Sequence, residues 1–460
     1  MILVSVVTAL GLAGGGVWLF TQGSGNSHSS ASHGSGKGSA NRPKNSSKPK
    51  PVNGRLLLSL AEPSVPAQRP TSGMWVTEQG FVKTGLSKVT GYDPTGGRKW
   101  ELPLDGEICS ASRHATSDNK VALLVRGSKA TGDVGISAVD HCTDVVLLDL
   151  GTGKKLWQKQ ARSGDQTVEF RQVAIGGNAV AAGGTRGGAA WSLNDGKELW
   201  KPKPEDTCHD DNYGGDGGKL VAMRRCGELE HAQYSVQTLR PNGAVASKFM
   251  LPRGIKDAYV VSAAPLIVAV DANDSSGNGV SDLMTIDDSA GDGKLRAKFS
   301  MGNGRYAVKC TYDSQSCGNL VVGKESLYLP TSEHQTNQDG IPSNEIVKFD
   351  LSNGRVKGKA ASPEATWLSP MNMDGEDHLI AYQMSIGDIN NAVVSIDPEA
   401  FTVTPLLKLS GNSHHSLNRF SPGADWLLWA HNRLYLGRES INKPYDEKHQ
   451  DYLVEVWGAG

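Results

Sequence analysis

The sequence predicts an all-β fold, an eight-bladed β-propeller closed by an N-terminal strand. Three observations carry this. A phrase of strand, Asp, Gly turn, Lys and Trp recurs, clearest at Val145–Trp157 (VVLLDLGTGKKLW) and repeated at Val89–Trp100 (VTGYDPTGGRKW) and Ala190–Trp200 (AWSLNDGKELW). From Gly54 onward no long stretch has helical period; short runs of β-branched and aromatic residues alternate with Gly, Asn and Asp turns. The chain ends on three strands of a unit whose fourth strand is available near its start. Hairpin units of this length mark a propeller, in which each sheet packs on the next and only short edges remain open.

Taken in order, Met1–Phe20 (MILVSVVTALGLAGGGVWLF) is uncharged and apolar, and matches the roughly 20 residues needed to cross a bilayer. It lacks the basic leader and short core of a cleaved signal peptide, so it reads as a transmembrane anchor, with a signal peptide as the alternative. Lys37, Arg42, Lys44, Lys48 and Lys50 follow it, and no Lys or Arg precedes it. The positive-inside rule then points the wrong way for an extracellular domain; a basic leader missing from the start of the chain would reconcile the two. Residues 21–53 are Gly, Ser, Asn, Lys and Pro, too polar to fold, and read as a disordered linker with a reach of about 30 Å. Residues 54–460 form the propeller.

Its units align on the residue four before the turn glycine or its equivalent: Asp93, Asp149, Ser192, Leu239, Asp287, Asp350 and Asp397, roughly fifty residues apart. The last unit shows three strands, Asp425–Ala430 (DWLLWA), Arg433–Gly437 (RLYLG) and Tyr452–Trp457 (YLVEVW). Arg55–Leu60 (RLLLSL), ahead of the first full unit near Met74, would supply the fourth and remove the open edges. Seven blades is the alternative count. Trp100, Trp157 and Trp200 end outer hairpins and are expected to pack between blades. In a four-stranded meander the short Gly turns lie on one face. The long insertions 127–141, 204–218, 303–317, 331–344 and 440–451 then fall on the other, where binding is expected.

The six cysteines fall in sequential pairs near that second face: Cys109 with Cys142, Cys208 with Cys226, and Cys310 with Cys317. An even count without CxxC suits disulfides in an oxidising compartment; a metal site and buried thiols are the alternatives. Lys and Arg number 47 against 48 Asp and Glu, so nothing in the charge steers the chain towards nucleic acid, which would need a basic surface. The pair Arg224-Arg225 reads as a solvated strand end.

The phrase VVLLDLGTGKKLW resembles the repeat of the PQQ-binding-like β-propeller family, A-x-D-x-x-T-G-x-x-x-W, which includes quinoprotein alcohol dehydrogenases and BamB-type outer-membrane assembly lipoproteins. The resemblance spans about 400 residues and implies eight blades. With an anchor and a Gly/Ser/Pro tether, the chain is similar to membrane-anchored actinobacterial members. The family's enzymes hold PQQ with calcium, a stacking Trp, a disulfide of adjacent cysteines and a catalytic Asp. This chain has no adjacent Cys pair, and its later units lose the Trp. No residue can be matched to the cofactor site.

Other chemistry is sparse. Asp271, Asn273, Ser275 and Asp282 stand at positions 1, 3, 5 and 12 of a calcium loop, but Ser276 replaces its Gly and Asp282 its Glu. A polar hairpin loop is the main reading and calcium the alternative. His209-Asp210-Asp211 reads as a solvated turn and His414-His415 as surface. The run Gly214–Lys219 (GGDGGK) lacks the hydroxyl of a phosphate loop. No nucleophile and base stand at readable spacing. The expectation is a non-catalytic, membrane-tethered, extracellular binding or scaffold propeller without a cofactor, whose loop-rich face takes a protein or cell-envelope ligand. The alternatives are a PQQ- or metal-dependent oxidoreductase and the ectodomain of a signalling receptor with a missing N-terminal part.

Overall fold

The structure, a computed structural model, describes residues 51–459 apart from 128–141, 229–230, 273–278, 303, 311–316, 336–341, 364, 376, 386–390, 410–416 and 445–449. The expected anchor, nearly all of the linker, Asn273, Ser275, Ser276 and His414-His415 lie outside the described residues. Among the described residues no helix is long and apolar enough to cross a membrane.

Strands form where β-branched residues alternate, and Gly or Asn at positive φ turns the chain between them. Six four-stranded meanders follow one another, at 74–103, 108–159, 172–200, 208–250, 257–300 and 321–361. A further sheet has eight strands. One half is the meander 366–409. The other contains Trp426–Ala430, Arg433–Gly437 and Tyr452–Ala459. Val52–Ala61 lies between the halves. It runs antiparallel to Tyr452–Ala459, from Gly54↔Ala459 to Ala61↔Tyr452. Its first residues also run parallel to Val403–Leu409, from Val52↔Leu407 to Gly54↔Leu409. The N-terminal strand therefore completes the C-terminal three and covers the edges of both halves.

First strands of several neighbouring sheets touch one another, Gln172–Gly176 with Cys208–Asp216 and Cys208–Asp216 with Asp257–Ser262 among them, and Met74–Thr77 of the first sheet reaches Trp426–Ala430 of the last. This is the radial, ring-closing arrangement of a propeller. Arg69–Pro70 pairs with Ser440–Ile441 across the closing seam. Amide side chains tie other seams by mimicking a strand partner. Gln172 donates to Tyr213 O at 2.6 Å and accepts from Tyr213 N at 2.9 Å. Asn212 does the same with Ala258 O and Val260 N, and Asn344 with Leu368 O and N.

The core is apolar sheet packed on apolar sheet. Val145, Leu147, Val173, Val180 and Trp191, for example, belong to one buried cluster spanning two sheets. Outermost strands carry several cations, as in Lys154–Lys159 and Lys294–Ser300, which blunt the exposed edges. Several are paired across strands, among them Lys359 with Glu345 and Lys357 with Asp350.

The repeat's Gly and Trp meet between sheets. A Cβ on Gly153 would lie 2.3 Å from the ring of Trp100, which ends the preceding sheet. Gly196 stands likewise on Trp157 (3.0 Å) and Gly243 on Trp200 (2.8 Å). All three glycines have positive φ, at 70°, 67° and 81°. One seam reverses the sizes. Phe401 takes the turn position at φ 55°, and a Cβ on Gly358 of the preceding sheet would lie 2.1 Å from its ring.

Three sequence expectations need correction. Residues 204–218 are not a loop insertion: Cys208–Asp216 is the first strand of its sheet, and only the turn after it is open. His209-Asp210-Asp211 is therefore strand rather than solvated turn. Arg224-Arg225 is not a solvated strand end: Arg225 is 5% exposed, and both arginines pair with the acidic residues beside them. The physical reason is common to all three. Opposite charges on adjacent strands satisfy one another, so a charged run can occupy an inner strand.

Candidate functional site

All three expected disulfides form: Cys109–Cys142, Cys208–Cys226 and Cys310–Cys317. Cys109 lies at the start of the strand Ile108–Ala111 and Cys142 opens Cys142–Asp149. Cys208 opens Cys208–Asp216 and Cys226 ends Lys219–Cys226. Cys310 and Cys317 lie in the connection that precedes the strand Val321–Val322. First and third strands start, and second strands end, at one end of each meander. The disulfides thus share that end with the longer connections.

A cleft of about 570 Å³ opens there between two tied walls. One wall is the small hairpin Arg162–Ser163/Gln166–Thr167. Its stem is held by Val168 N donating to Ala161 O at 3.0 Å and by Phe170 N donating to the carbonyl of the disulfide cysteine Cys142 at 2.8 Å. The other wall is Lys203, Pro204 and His209, the last directly after the disulfide cysteine Cys208. The floor is Thr185 and Arg186, whose turn is fixed by Arg225 donating to Thr185 O at 3.2 Å. The walls approach each other at Gly164, where a Cβ would lie 3.4 Å from Pro204.

Beneath the cleft is a charged layer. Asp210, which is buried, accepts from Arg224 at 2.7 Å and from Tyr213 Oη at 2.8 Å, and Trp200 Nε1 donates to the same Oη at 3.2 Å. Burial, helped by Asp210, drives the Tyr213 phenol well above its ordinary pKa. Asp211 accepts from Arg225 Nε at 2.7 Å, and burial raises its pKa despite that partner. Two buried atoms, Asp211 Oδ1 and His209 Nδ1, have no hydrogen-bond partner among the described residues. A second cleft, about 410 Å³, runs beside this layer between the sheets 172–200 and 208–250. Trp200, Pro202, Asp210, Arg224 and Gln237 are among its lining residues.

A separate polar focus marks the closing seam. Lys83 is 2% exposed; it donates to Thr71 O, to Gly73 O at 3.3 Å and to Thr84 Oγ1 at 3.4 Å. Burial lowers its pKa to about 7, opposed by the nearby Glu439 and Asp425 carboxylates. Burial raises the pKa of Glu439, which Lys83 opposes, and Trp426 Nε1 donates to it. Asp425 in turn accepts from Glu439 N at 3.0 Å and from Arg438 at 3.2 Å. These groups lock the first sheet to the last. Sequence reading missed Lys83, although its place two residues after Phe81 in GFVKT put it on a core-facing position.

Of the calcium-loop candidates, Asp271 ends the strand Ile267–Asp271 and Asp282 opens Asp282–Asp287; both are buried. Asp282 already pairs with Lys298 at 3.2 Å and accepts from Ser281 at 3.0 Å. Among the described residues no group of three or more His, Cys, Asp or Glu is placed to hold a metal.

Comparison with family models and with curated protein sequences gives no match. Solved structures do match. The quinohemoprotein alcohol dehydrogenase from Comamonas testosteroni aligns with a TM-score of 0.50 at 11% identity, covering 89% of this chain and 77% of that one. The match shows the β-propeller fold. A europium-containing methanol dehydrogenase aligns at 0.49 and 11% identity, covering 88% of this chain and 93% of that one. BamB from Moraxella catarrhalis aligns at 0.46 and 12%, covering 86% and 99%. At these identities the likeness concerns the fold alone.

Proposed function

We propose that this chain is a non-catalytic β-propeller of eight blades, two of them fused through Val52–Gly54. It is tethered to the cell membrane by Met1–Phe20, and its disulfide-fixed end faces the extracellular side and binds a protein or cell-envelope ligand. One observation carries the reading: the three disulfides and the larger cleft gather at the same end of the sheets. A rigid scaffold presenting pre-tied connections lowers the entropy lost on binding. Disulfides also favour an oxidising compartment outside the cytoplasm. The charged layer under the cleft is internally paired and offers no nucleophile next to a base, so it supports the surface rather than a reaction.

Affinity capture from cell envelopes tests this. The full chain should retain a defined envelope component, and reduction of its disulfides should release it. Retention of nothing by folded protein refutes the reading. Adding PQQ and calcium and recording absorbance tests the enzyme alternative; a stable quinone band would overturn the proposal. Protease protection in intact cells reports on which side the propeller lies.

A further inference from the structure

The larger cleft carries an unbalanced chemistry. Neither the Arg186 guanidinium nor the Lys203 ammonium has an ion pair or hydrogen bond among the described residues, although both line the cleft. Three nearby cations are engaged: Lys201 with Glu198, Arg224 with Asp210 and Arg225 with Asp211. Asp165 is the single acidic side chain in the lining. His209 also lines the cleft, with its unpartnered Nδ1 buried on the side of Gly187. The rest of the lining is rich in hydroxyls, from Ser163, Thr167 and Thr185. Its only side chains without a polar group are Val168 and Pro204, so it lacks the aromatic and aliphatic anchors on which peptide recognition turns. The volume suits a small ligand of one or two rings.

We infer that this cleft binds an acidic saccharide: a hydroxyl-rich body carrying a phosphate or carboxylate. Arg186 and Lys203 take the oxyanion, Arg186 through the paired donors that match its geometry. The hydroxyl side chains of Ser163, Thr167 and Thr185 take the sugar hydroxyls. Both walls are tied to disulfide cysteines, so the site is formed before the ligand arrives. The inference rests on the reading of this end as a binding surface and names the ligand class for it.

The test is calorimetric titration of the full chain, in detergent, with glucose 6-phosphate, glucuronate, glucose and inorganic phosphate. At least one of the two charged sugars should bind at millimolar concentration or below. Glucose and inorganic phosphate should each bind about tenfold more weakly or worse, since each supplies half of the recognition. The R186A/K203A double variant should lose about tenfold or more, with melting unchanged, and K357A on a distant outer strand should lose nothing. The binding should weaken as salt rises. Glucose 6-phosphate binding alone assigns the phosphate source, and glucuronate alone the carboxylate. No binding of either charged sugar, equal binding of inorganic phosphate, or undiminished binding by the double variant overturns the inference. If both charged sugars fail while envelope capture succeeds, the ligand class falls and the binding reading stands. If capture retains nothing but a charged sugar binds, the site stands alone.

Discussion

The Gly–Trp contact between sheets predicts the cost of a single methyl group. Gly153 has φ +70°, and a Cβ there would lie 2.3 Å from Trp100 Cδ2 and 2.5 Å from Cε3. Two terms add in G153A. An L-residue in the left-handed region costs about 1–2 kcal/mol. Forcing a methyl into a filled contact costs about 1–3 kcal/mol more, because the indole must leave its position. The expected loss is therefore about 2–5 kcal/mol, read as a lower urea midpoint at unchanged slope. Trp100→Ala opens the contact at a cost of its own. In that background G153A should cost only the backbone part, about 1–2 kcal/mol, giving a coupling of about 1–3 kcal/mol. The reversed seam supplies the control: Gly358→Ala should be tolerated only when Phe401 is shortened, since the ring comes from the opposite partner there. A G153A cost below about 0.5 kcal/mol, or one unchanged by Trp100→Ala, would refute the reasoning.

Three further outcomes are expected. Hydrogen bonds from the following turn hold Asp93, Asp287 and Asp350 below the ordinary carboxylate range, Asp350 at about 2 through Ser352. Their contribution is complete above the unfolded value and fades as pH falls from about 4 towards 2, so melting temperature should drop in that window and the drop should shrink in the Asp→Asn variants. Lys83 has a folded pKa of about 7, below its ordinary value. Between that value and about 10.5 only the unfolded chain holds the proton, so this residue's contribution to stability rises with pH, and the slope should vanish in Lys83→Met. At neutral pH Lys83→Met strands Glu439 in the interior and should cost about 3–5 kcal/mol in urea unfolding, most of it recovered when Glu439 is also replaced by Leu. Replacing Cys208 and Cys226 with Ser opens a loop with sequence separation 18 and should cost about 3 kcal/mol. Hydrogen exchange at 203–209 should speed up in that variant.

Much of the fold was legible because the repeat writes it three times nearly unchanged. The alignment residues Asp93, Asp149 and Asp350 do sit at the ends of third strands, and their carboxylates accept from the turn that follows. The cysteines pair in sequence order because each bridge joins two strand ends of one sheet or two points of one connection. The site was less legible. His209, Asp210 and Asp211 break the alternation expected of an inner strand, and only the register His209↔Arg225 and Asp210↔Arg224 shows why they are tolerated. Arg186 and Lys203 carried no signal at all, since an unpaired surface cation differs from a paired one only by its neighbours.

The sequence by itself determined the meander, its turn positions and the strand that closes the ring, because these follow from local periodicity and from Gly and Asp chemistry within a few residues. Tertiary structure alone decided which residue meets which across each seam. The repeat's Gly rests on the Trp of the sheet before it, Phe401 and Gly358 exchange those sizes, and the connection bonded to Cys142 and the one leading into Cys208 form the walls of one cleft. Such contacts depend on volume and charge balance between segments far apart in the chain, and no local pattern records them.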